Sequence, residues 1–330
     1  RYTEKSRSRL LSAGSFDYQP FFSIFELPIF MKPSFEHLTT SMQEITLDTD
    51  LLNHIDEEER TRTKKNSELI HAVTFSYEVK GLRYDGFSVR PKHINGKKCP
   101  VIIFNRGGTG MFGSIKYGML FMGMIAEFAR AGYIVIGSQC MGFGEDGAPD
   151  EMGGEDFHSV LALKNLIDAD ESADSHAIGI YGASRGGMTT YRLLAETDWA
   201  RAAIVVSGIV DMPGDVFFRP EMIEHYNKTF GGSEADLKKR SVWYWPERLP
   251  KNIPILIMHG SADWRVDPKT SIRLSEKLIS LEIPHRLVIF EGNDHSLSEN
   301  ATEALEMKLA WMEKFVKNQA PLPILKKHGK

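Results

Sequence analysis

From about residue 72 the chain alternates short apolar segments, typical of buried strands, with segments that have the character of helices. This alternation predicts an α/β fold with a mostly parallel sheet of about eight strands and helices on both faces. The first two strands are expected to pair antiparallel. The predicted strands are 72–80, 84–91, 100–105, 133–138, 176–181, 201–207, 254–259 and 286–291. The predicted helices are 119–131, 153–169, 188–195, 268–282 and 302–317.

Two segments fall outside the alternation. Residues 1–66 have no strand pattern and are predicted to form a partly helical N-terminal extension to a main domain at 67–330. A charged run at 56–65 is interpreted as the solvated face of a helix. The extension is also rich in aromatic residues, which we expect to pack on the main domain; the alternative is that they cap a site or join two copies of the chain. They are Phe16, Tyr18, Phe21, Phe22, Phe25, Phe30 and Phe35.

The second such segment is an insertion at 211–250, between two predicted strands. Insertions at the carboxyl edge of a parallel sheet lie over the ligand crevice, so its aromatic residues either line a pocket or bury the insertion's own helices. We predict that Trp243, and Trp264 further along the chain, contact substrate.

Composition excludes several classes of function. The net charge is −4 and the calculated pI about 6.3, which argues against nucleic-acid binding. The two cysteines, Cys99 and Cys140, make no disulfide framework and favour a reducing, cytoplasmic location. No apolar run of about 18 residues occurs, so no membrane span is predicted. The chain begins with Arg, which leaves open a removed leader, and association into a homo-oligomer is also left open.

The most informative segment is Gly-Ala-Ser-Arg-Gly-Gly at 182–187. It follows a predicted buried strand and precedes a predicted helix, which is the context of the nucleophile elbow in an α/β-hydrolase. The turn holds its central residue in a strained conformation and needs glycine on both sides, as at Gly182 and Gly186. Ser184 is therefore the candidate nucleophile. The alternative is a glycine-rich turn with an inert serine, which would show the same sequence motif.

A serine hydroxyl needs a base, and the base needs a carboxylate to hold its tautomer. In α/β-hydrolases the base follows the last strand, which selects His295 in the loop 292–296 over His225, His259 and His285. The carboxylate is expected after the preceding strand, where Asp263 stands first. Two other acids are weaker candidates: one is interpreted as a helix cap and the other adjoins the base and points away from it. They are Asp267 and Asp294.

Two backbone N–H groups should stabilise the oxyanion. One is assigned to Arg185, directly after the serine. The other is assigned to Gly107 or Arg106 in the glycine-rich loop 105–110. A phosphate-binding loop is the competing interpretation, but the Lys-Ser/Thr ending of that motif is missing.

These motifs resemble those of the prolyl oligopeptidase family of serine hydrolases. The resemblance covers about 72–318 and rests on the elbow, on His-Gly-Ser-Ala-Asp-Trp-Arg-Val at 259–266, on Gly-Asn-Asp-His at 292–295, and on the glycine-rich segment 142–156. It implies an α/β-hydrolase fold, acyl-enzyme chemistry on Ser184, and no metal or organic cofactor.

Two departures from the family pattern shape the predicted substrate. Arg106 stands where family peptidases often carry a tyrosine, so it is predicted to serve through its backbone or to bind a substrate carboxylate. The 71 residues before the hydrolase segment are too few for the family's β-propeller. We therefore favour an esterase acting on a small acyl substrate, with a peptidase on short peptides as the alternative. A non-catalytic binding protein that keeps the fold is the third candidate.

Overall fold

A computed structural model describes residues 33–47, 50–94 and 96–329. Within these residues, nine β-strands form one sheet. In chain order they are β1 Thr40–Ile45, β2 Ile70–Val79, β3 Leu82–Pro91, β4 Cys99–Asn105, β5 Ile134–Ser138, β6 Ala173–Ala183, β7 Ala200–Val206, β8 Ile255–Gly260 and β9 His285–Phe290.

Ten α-helices accompany the sheet in the described part of the chain. They are α1 Phe35–Leu38, α2 Glu57–Leu69, α3 Gly123–Arg130, α4 Phe157–Ala169, α5 Arg185–Glu196, α6 Met212–Phe218, α7 Met222–Phe230, α8 Glu234–Arg240, α9 Pro268–Ser280 and α10 Ala301–Met312. Short 3₁₀ turns occupy Leu51–His54, Tyr117–Phe121, Val242–Tyr244 and Pro246–Arg248, and a π-turn at Glu313–Lys317 extends α10.

The strand order is β1-β2-β3-β5-β4-β6-β7-β8-β9. The strands from β4 to β9 pair in parallel, whereas β1, β2 and β3 form an antiparallel ribbon that joins the sheet through β5. The central strands are buried on both faces, as a parallel sheet covered by helices requires. The predicted α/β-hydrolase fold is therefore confirmed, with the strand-to-helix loops gathered at one edge.

The expectation that no strand precedes residue 66 is wrong. Residues 40–45 form β1, which pairs with β2 at the edge of the sheet. Five of its six residues are exposed, so it lacks the apolar alternation by which strands are recognised. The charged run does lie on a helix, α2. Of the N-terminal aromatics only Phe35 falls in the described range; it is buried edge-on against Phe75, with ring centroids 5.2 Å apart.

The insertion folds as α6, α7, α8 and two 3₁₀ turns. It packs in a small apolar cluster that it shares with the elbow helix, the loop after β8 and the segments before α4 and after β7. The cluster contains Met152, Met188, Ile209, Met212, Tyr226, Leu237 and Val266. This packing holds the insertion at the carboxyl edge of the sheet, beside the elbow.

Candidate active site

Ser184 lies between the end of β6 and the start of α5, with φ 56° and ψ −123°. A non-glycine residue rarely adopts this conformation, and it persists because the surroundings enforce it. A β-carbon at Gly182 would collide with the carbonyl oxygen of Gly186, so the turn closes only with glycine there. The Ser184 N–H donates to the Val206 carbonyl at 2.9 Å. These contacts place the side chain on the wall of a cavity of about 750 Å³.

His295 lines the same cavity, in the loop that follows β9. Its Nδ1 lies 2.7 Å from Oδ2 of Asp263, which stands in the loop after β8. An ionised carboxylate only accepts hydrogen bonds, so this contact places a proton on Nδ1 and leaves Nε2 as the basic nitrogen. The structure thus places Ser184 and His295 on one cavity, with Asp263 behind the imidazole.

Asp263 is buried and accepts four hydrogen bonds. Besides His295, its Oδ2 accepts from His259 Nε2 at 3.0 Å, and its Oδ1 accepts from the N–H groups of Arg265 and Val266 at 2.7 and 3.1 Å. Burial acts to raise the pKa of Asp263, but the bonds from His259 and His295 outweigh it and hold that pKa below its ordinary value. Asp263 is therefore a carboxylate at neutral pH.

His259 is the contributor that sequence reasoning missed, since its place at the end of a strand suggested a packed residue. It is fully buried, and its Nδ1 lies 2.8 Å from Ser271 Oγ while Nε2 points to Asp263. A His four residues before the candidate acid was the available signal.

The rival residues have other partners. Asp267 caps α9 by accepting from the Lys269 N–H, as its position before proline suggested. The Asp294 carboxylate accepts from the backbone N–H groups of Ser296 and Ser298. His225 lies on the cavity wall, 2.9 Å from Thr109 Oγ1.

The glycine-rich loop after β4 lies directly against the elbow. A β-carbon on Gly107 would stand 3.3 Å from the Ala183 carbonyl oxygen and 3.5 Å from Ser184 Cβ, so the backbone at 107 approaches the nucleophile closely. In the described part of the chain, the N–H groups of Gly107 and Arg185 donate to no protein acceptor. Both are available to an oxyanion formed at Ser184.

The Arg106 side chain does not line the cavity, so the prediction that it binds a substrate carboxylate is corrected. Its guanidinium is buried, with Nη2 2.6 Å from Asp150 Oδ2 and Nε 2.6 Å from the Gln139 carbonyl oxygen. A buried cation of this kind needs an internal counter-charge, and Asp150 supplies it. No motif in the sequence indicates that these two residues meet.

Arg106 and Asp150 belong to a buried cluster of four charges, which also contains Arg185 and Asp156. Arg185 Nη1 lies 2.7 Å from Asp150 Oδ2, and its Nη2 lies 2.6 Å from Asp156 Oδ2. The cluster also reaches the glycine-rich loop: Arg185 Nη1 donates to the Gly108 carbonyl, and the Gly110 N–H donates to Asp150. These bonds hold that loop against the elbow.

The cavity wall combines apolar and charged side chains. Trp264, whose contact with substrate stays a prediction, lies on this wall and is 60% exposed, with the guanidinium groups of Arg219 and Arg265 about 5 Å from its ring. Trp243 does not: its ring packs under the Lys277 ammonium, 3.4 Å from the centroid, beside a different groove. Among the insertion's aromatics in the described range, Tyr226 alone lines the cavity. Of the others, Trp245 belongs to the main core and Phe230 packs on the small cluster of the insertion. Phe217, Phe218 and Tyr244 are exposed.

Lys308 reaches the cavity from α10 and is buried. Burial lowers the pKa of its ammonium to about 8. No cluster of His, Cys, Asp and Glu suited to a metal ion occurs in the described residues. Within the same residues, no helix has the length and apolarity needed to span a membrane.

The parallel sheet, the strained serine and the His–Asp pair define the class as an α/β-hydrolase. The family model for the prolyl oligopeptidase family matches residues 120–319. The chain belongs to the prolyl oligopeptidase family and is a serine hydrolase.

Two relatives from Bacillus subtilis are similar in sequence. The chain is 25% identical over 259 residues to one named "uncharacterized peptidase YtmA", a match that covers 77% of this chain and 98% of the relative. It is 26% identical over 295 residues to "uncharacterized peptidase YuxL", covering 81% of this chain but 43% of that relative. In fold it resembles the acylaminoacyl peptidase of Pyrococcus horikoshii, with a TM-score of 0.64 and 23% identity, over 77% of this chain and 43% of that one.

Proposed function

We propose that this chain hydrolyses an amide bond in a short peptide through an acyl-enzyme on Ser184. The observation that carries the proposal is that His295 lies on the wall of the cavity that also exposes Ser184, with its Nδ1 paired to Asp263 at 2.7 Å. The relatives named as peptidases support an amide as the scissile bond.

The reaction begins when His295 Nε2 takes the proton of the Ser184 hydroxyl as its Oγ attacks the substrate carbonyl carbon. The carbonyl oxygen gains the negative charge and accepts hydrogen bonds from the N–H groups of Gly107 and Arg185. Imidazolium then gives its proton to the leaving nitrogen, the C–N bond breaks and the amine departs. The same imidazole then deprotonates a water molecule, which attacks the acyl carbon. The imidazolium returns this proton to Ser184 Oγ as the bond between Oγ and the acyl carbon breaks and the acid departs.

Asp263 contributes by remaining a carboxylate throughout. It holds the proton of His295 on Nδ1 and stabilises the imidazolium that forms at each step. The bonds to Asp263 from His259, Arg265 and Val266 fix its position, so the imidazole does not have to reorient during the reaction.

An ester is the second substrate class, because the same steps cleave a C–O bond. The esterase preference predicted from the sequence stays a prediction, as do the cytoplasmic location and self-association. A cavity of about 750 Å³ lies within the range of small-ligand sites and suits either a small ester or a few residues of peptide.

The test compares hydrolysis of an aminoacyl nitroanilide and of the matching nitrophenyl ester by the wild type and by Ser184→Ala. We expect the variant to lose about 10⁶-fold in kcat and all labelling by a fluorophosphonate probe. Ser280→Ala, an exposed serine on α9, is the control and should keep both. Labelling or full activity in Ser184→Ala would refute the nucleophile. Ester cleavage without anilide cleavage by the wild type would refute the peptidase assignment alone.

A further inference from the structure

Asp215 is a carboxyl group in the substrate cavity with no hydrogen-bond partner. It lies on α6 of the insertion, lines the same cavity as Ser184 and is 3% exposed. Neither Oδ1 nor Oδ2 accepts or donates a hydrogen bond within the described residues. Buried polar groups are nearly always satisfied, and one left open on the wall of a binding cavity is available to a ligand.

The surroundings of Asp215 are acidic. Burial raises its pKa well above the ordinary value, and the nearby carboxylates of Asp211, Asp267 and Asp263 raise it further. Asp211 has a buried oxygen of its own, Oδ1, that is unpartnered among the described residues. Three carboxylates gathered around a fourth favour the arrival of positive charge.

Arg219, a cation whose charge acts on Asp215, is engaged elsewhere. Its positive charge lowers the pKa of Asp215, but by less than burial and the three carboxylates raise it. Its Nε bonds to Glu221 at 2.9 Å, its Nη1 donates to the Arg265 carbonyl, and its guanidinium lies over the Trp264 ring. Arg219 therefore leaves both oxygens of Asp215 open.

The remaining titratable groups on this cavity have other environments. The insertion also contributes His225, which contacts Thr109, and Tyr226, whose pKa burial and then Asp215 raise. Arg265 extends toward Trp264. Lys308 lies on α10, where burial lowers the pKa of its ammonium.

We infer that Asp215 is the specificity-determining residue that binds a primary ammonium group of the substrate while Ser184 attacks a nearby carbonyl. The inference rests on the proposed function and names its substrate class. An ammonium supplies three hydrogen-bond donors and the positive charge that the acidic surroundings lack. Two sources share this chemistry, the free α-amino group of a peptide and a lysine side chain.

An ammonium binds the ionised form of the Asp215 carboxyl. With burial and three carboxylates raising its pKa, Asp215 releases a proton as the cation binds. Binding of an ammonium should therefore release protons in the wild type and release fewer in an Asp215→Asn variant.

The kinetic test pairs substrates that differ only in the amine. Alanine nitroanilide is compared with its N-acetyl form, and N-acetyl-lysine nitroanilide with N-acetyl-norleucine nitroanilide; the matching esters are used if anilides are not cleaved. We expect Asp215→Asn to raise KM about 10- to 100-fold for the substrate that carries the ammonium, as for a lost charge-assisted hydrogen bond, with its neutral partner changed less than about twofold. The first pair identifies an α-amino group and the second a lysine side chain.

Glu224→Gln removes an exposed carboxylate from α7 and serves as the matched control. Fluorophosphonate labelling of Ser184 shows that each variant is folded and active. Equal effects of Asp215→Asn on both members of both pairs would overturn the inference.

A binding measurement separates this inference from the reaction itself. Calorimetry with Ser184→Ala, alone and combined with Asp215→Asn, compares alaninamide and lysinamide with their fully acetylated forms. Weaker binding of an ammonium ligand in the double variant, together with less proton release, supports the role of Asp215 even if the proposed peptidase activity fails. Equal binding by the two proteins overturns it even if that activity holds.

Discussion

Arg185 and Asp150 form an ion pair directly behind the nucleophile, with Nη1 2.7 Å from Oδ2 and both side chains at most 3% exposed. Asp150 also pairs with Arg106 and accepts the Gly110 N–H, so one carboxylate joins the elbow to the loop of the expected oxyanion site. The buried charge cluster therefore fixes these two backbone segments relative to each other.

Asp150→Asn should therefore impair catalysis more than substrate binding. It leaves two buried guanidinium groups short of charge, which costs about 3–5 kcal/mol of stability, and it loosens the glycine-rich loop. Because the oxyanion forms only in the transition state, we expect kcat to fall up to about a hundredfold with little change in KM.

Steady-state kinetics and urea unfolding measure the two effects. Asp168→Asn, which removes a surface ion pair with Lys164, should change stability by less than about 1 kcal/mol. If Asp150→Asn lowers stability while kcat stays intact, Asp150 has no positioning role.

The strain at Ser184 is measurable with two inactive variants. Because φ is 56° there, glycine adopts the turn more readily than alanine. Ser184→Gly should be more stable than Ser184→Ala by about 1 kcal/mol. At the exposed helical position Lys64 the order should reverse, with Lys64→Gly about 1 kcal/mol below Lys64→Ala. Thermal unfolding decides, and the same order at both sites would contradict a strained elbow.

The lowered pKa of Asp263 makes the free energy of unfolding depend on pH. Its folded-state pKa is lowered, so its contribution is fully present above the unfolded value of about 4 and is lost as pH falls below it. Asp263→Asn should therefore flatten the decline in unfolding free energy between about pH 4 and pH 2. It should also lower kcat by about 10⁴-fold, since the imidazole loses its fixed tautomer.

His259→Leu removes one of the four bonds to Asp263 and should give an intermediate pH dependence. Urea unfolding at a series of pH values measures all three proteins. Wild type and Asp263→Asn declining in parallel would show that Asp263 is not ionised preferentially in the folded state.

Replacing the buried Lys308 with an apolar residue should stabilise the protein. Burial lowers its pKa to about 8, so the folded state disfavours the ammonium. Lys308→Met should raise stability by on the order of 3 kcal/mol at pH 7. The gain is full below pH 8 and shrinks as pH rises toward the unfolded value of about 10.5, where the unfolded lysine also loses its proton. Lys314→Met, at an exposed lysine, should stay within about 0.5 kcal/mol. A gain that does not vary with pH would contradict the assignment.

The sheet and the triad candidates were predictable because their signals are local. Buried parallel strands are short apolar runs, and the loops after them meet at one edge, so Ser184, Asp263 and His295 could be assigned by position. Asp267 was interpreted as a cap from the proline that follows it, and its side chain accepts the expected bond.

The rest depended on contacts between distant segments. β1 was not predicted because it is an exposed edge strand without apolar alternation. No sequence feature near Arg106 indicates that its partner is Asp150, 44 residues further along the chain. Trp243 was expected at the substrate, but its direction is set by how the insertion folds, which places it on Lys277 instead.

The edge position of β1 has a consequence for handling the protein. Removing residues 1–46 would uncover the backbone donors and acceptors of β2 along the ladder from Ala72 to Ser76. An uncovered, flat strand is a template for pairing with another molecule. The short strand β1, at residues 40–45, thus protects the edge of the sheet from pairing with another molecule. A shortened protein that precipitates would have lost this protection rather than its active site.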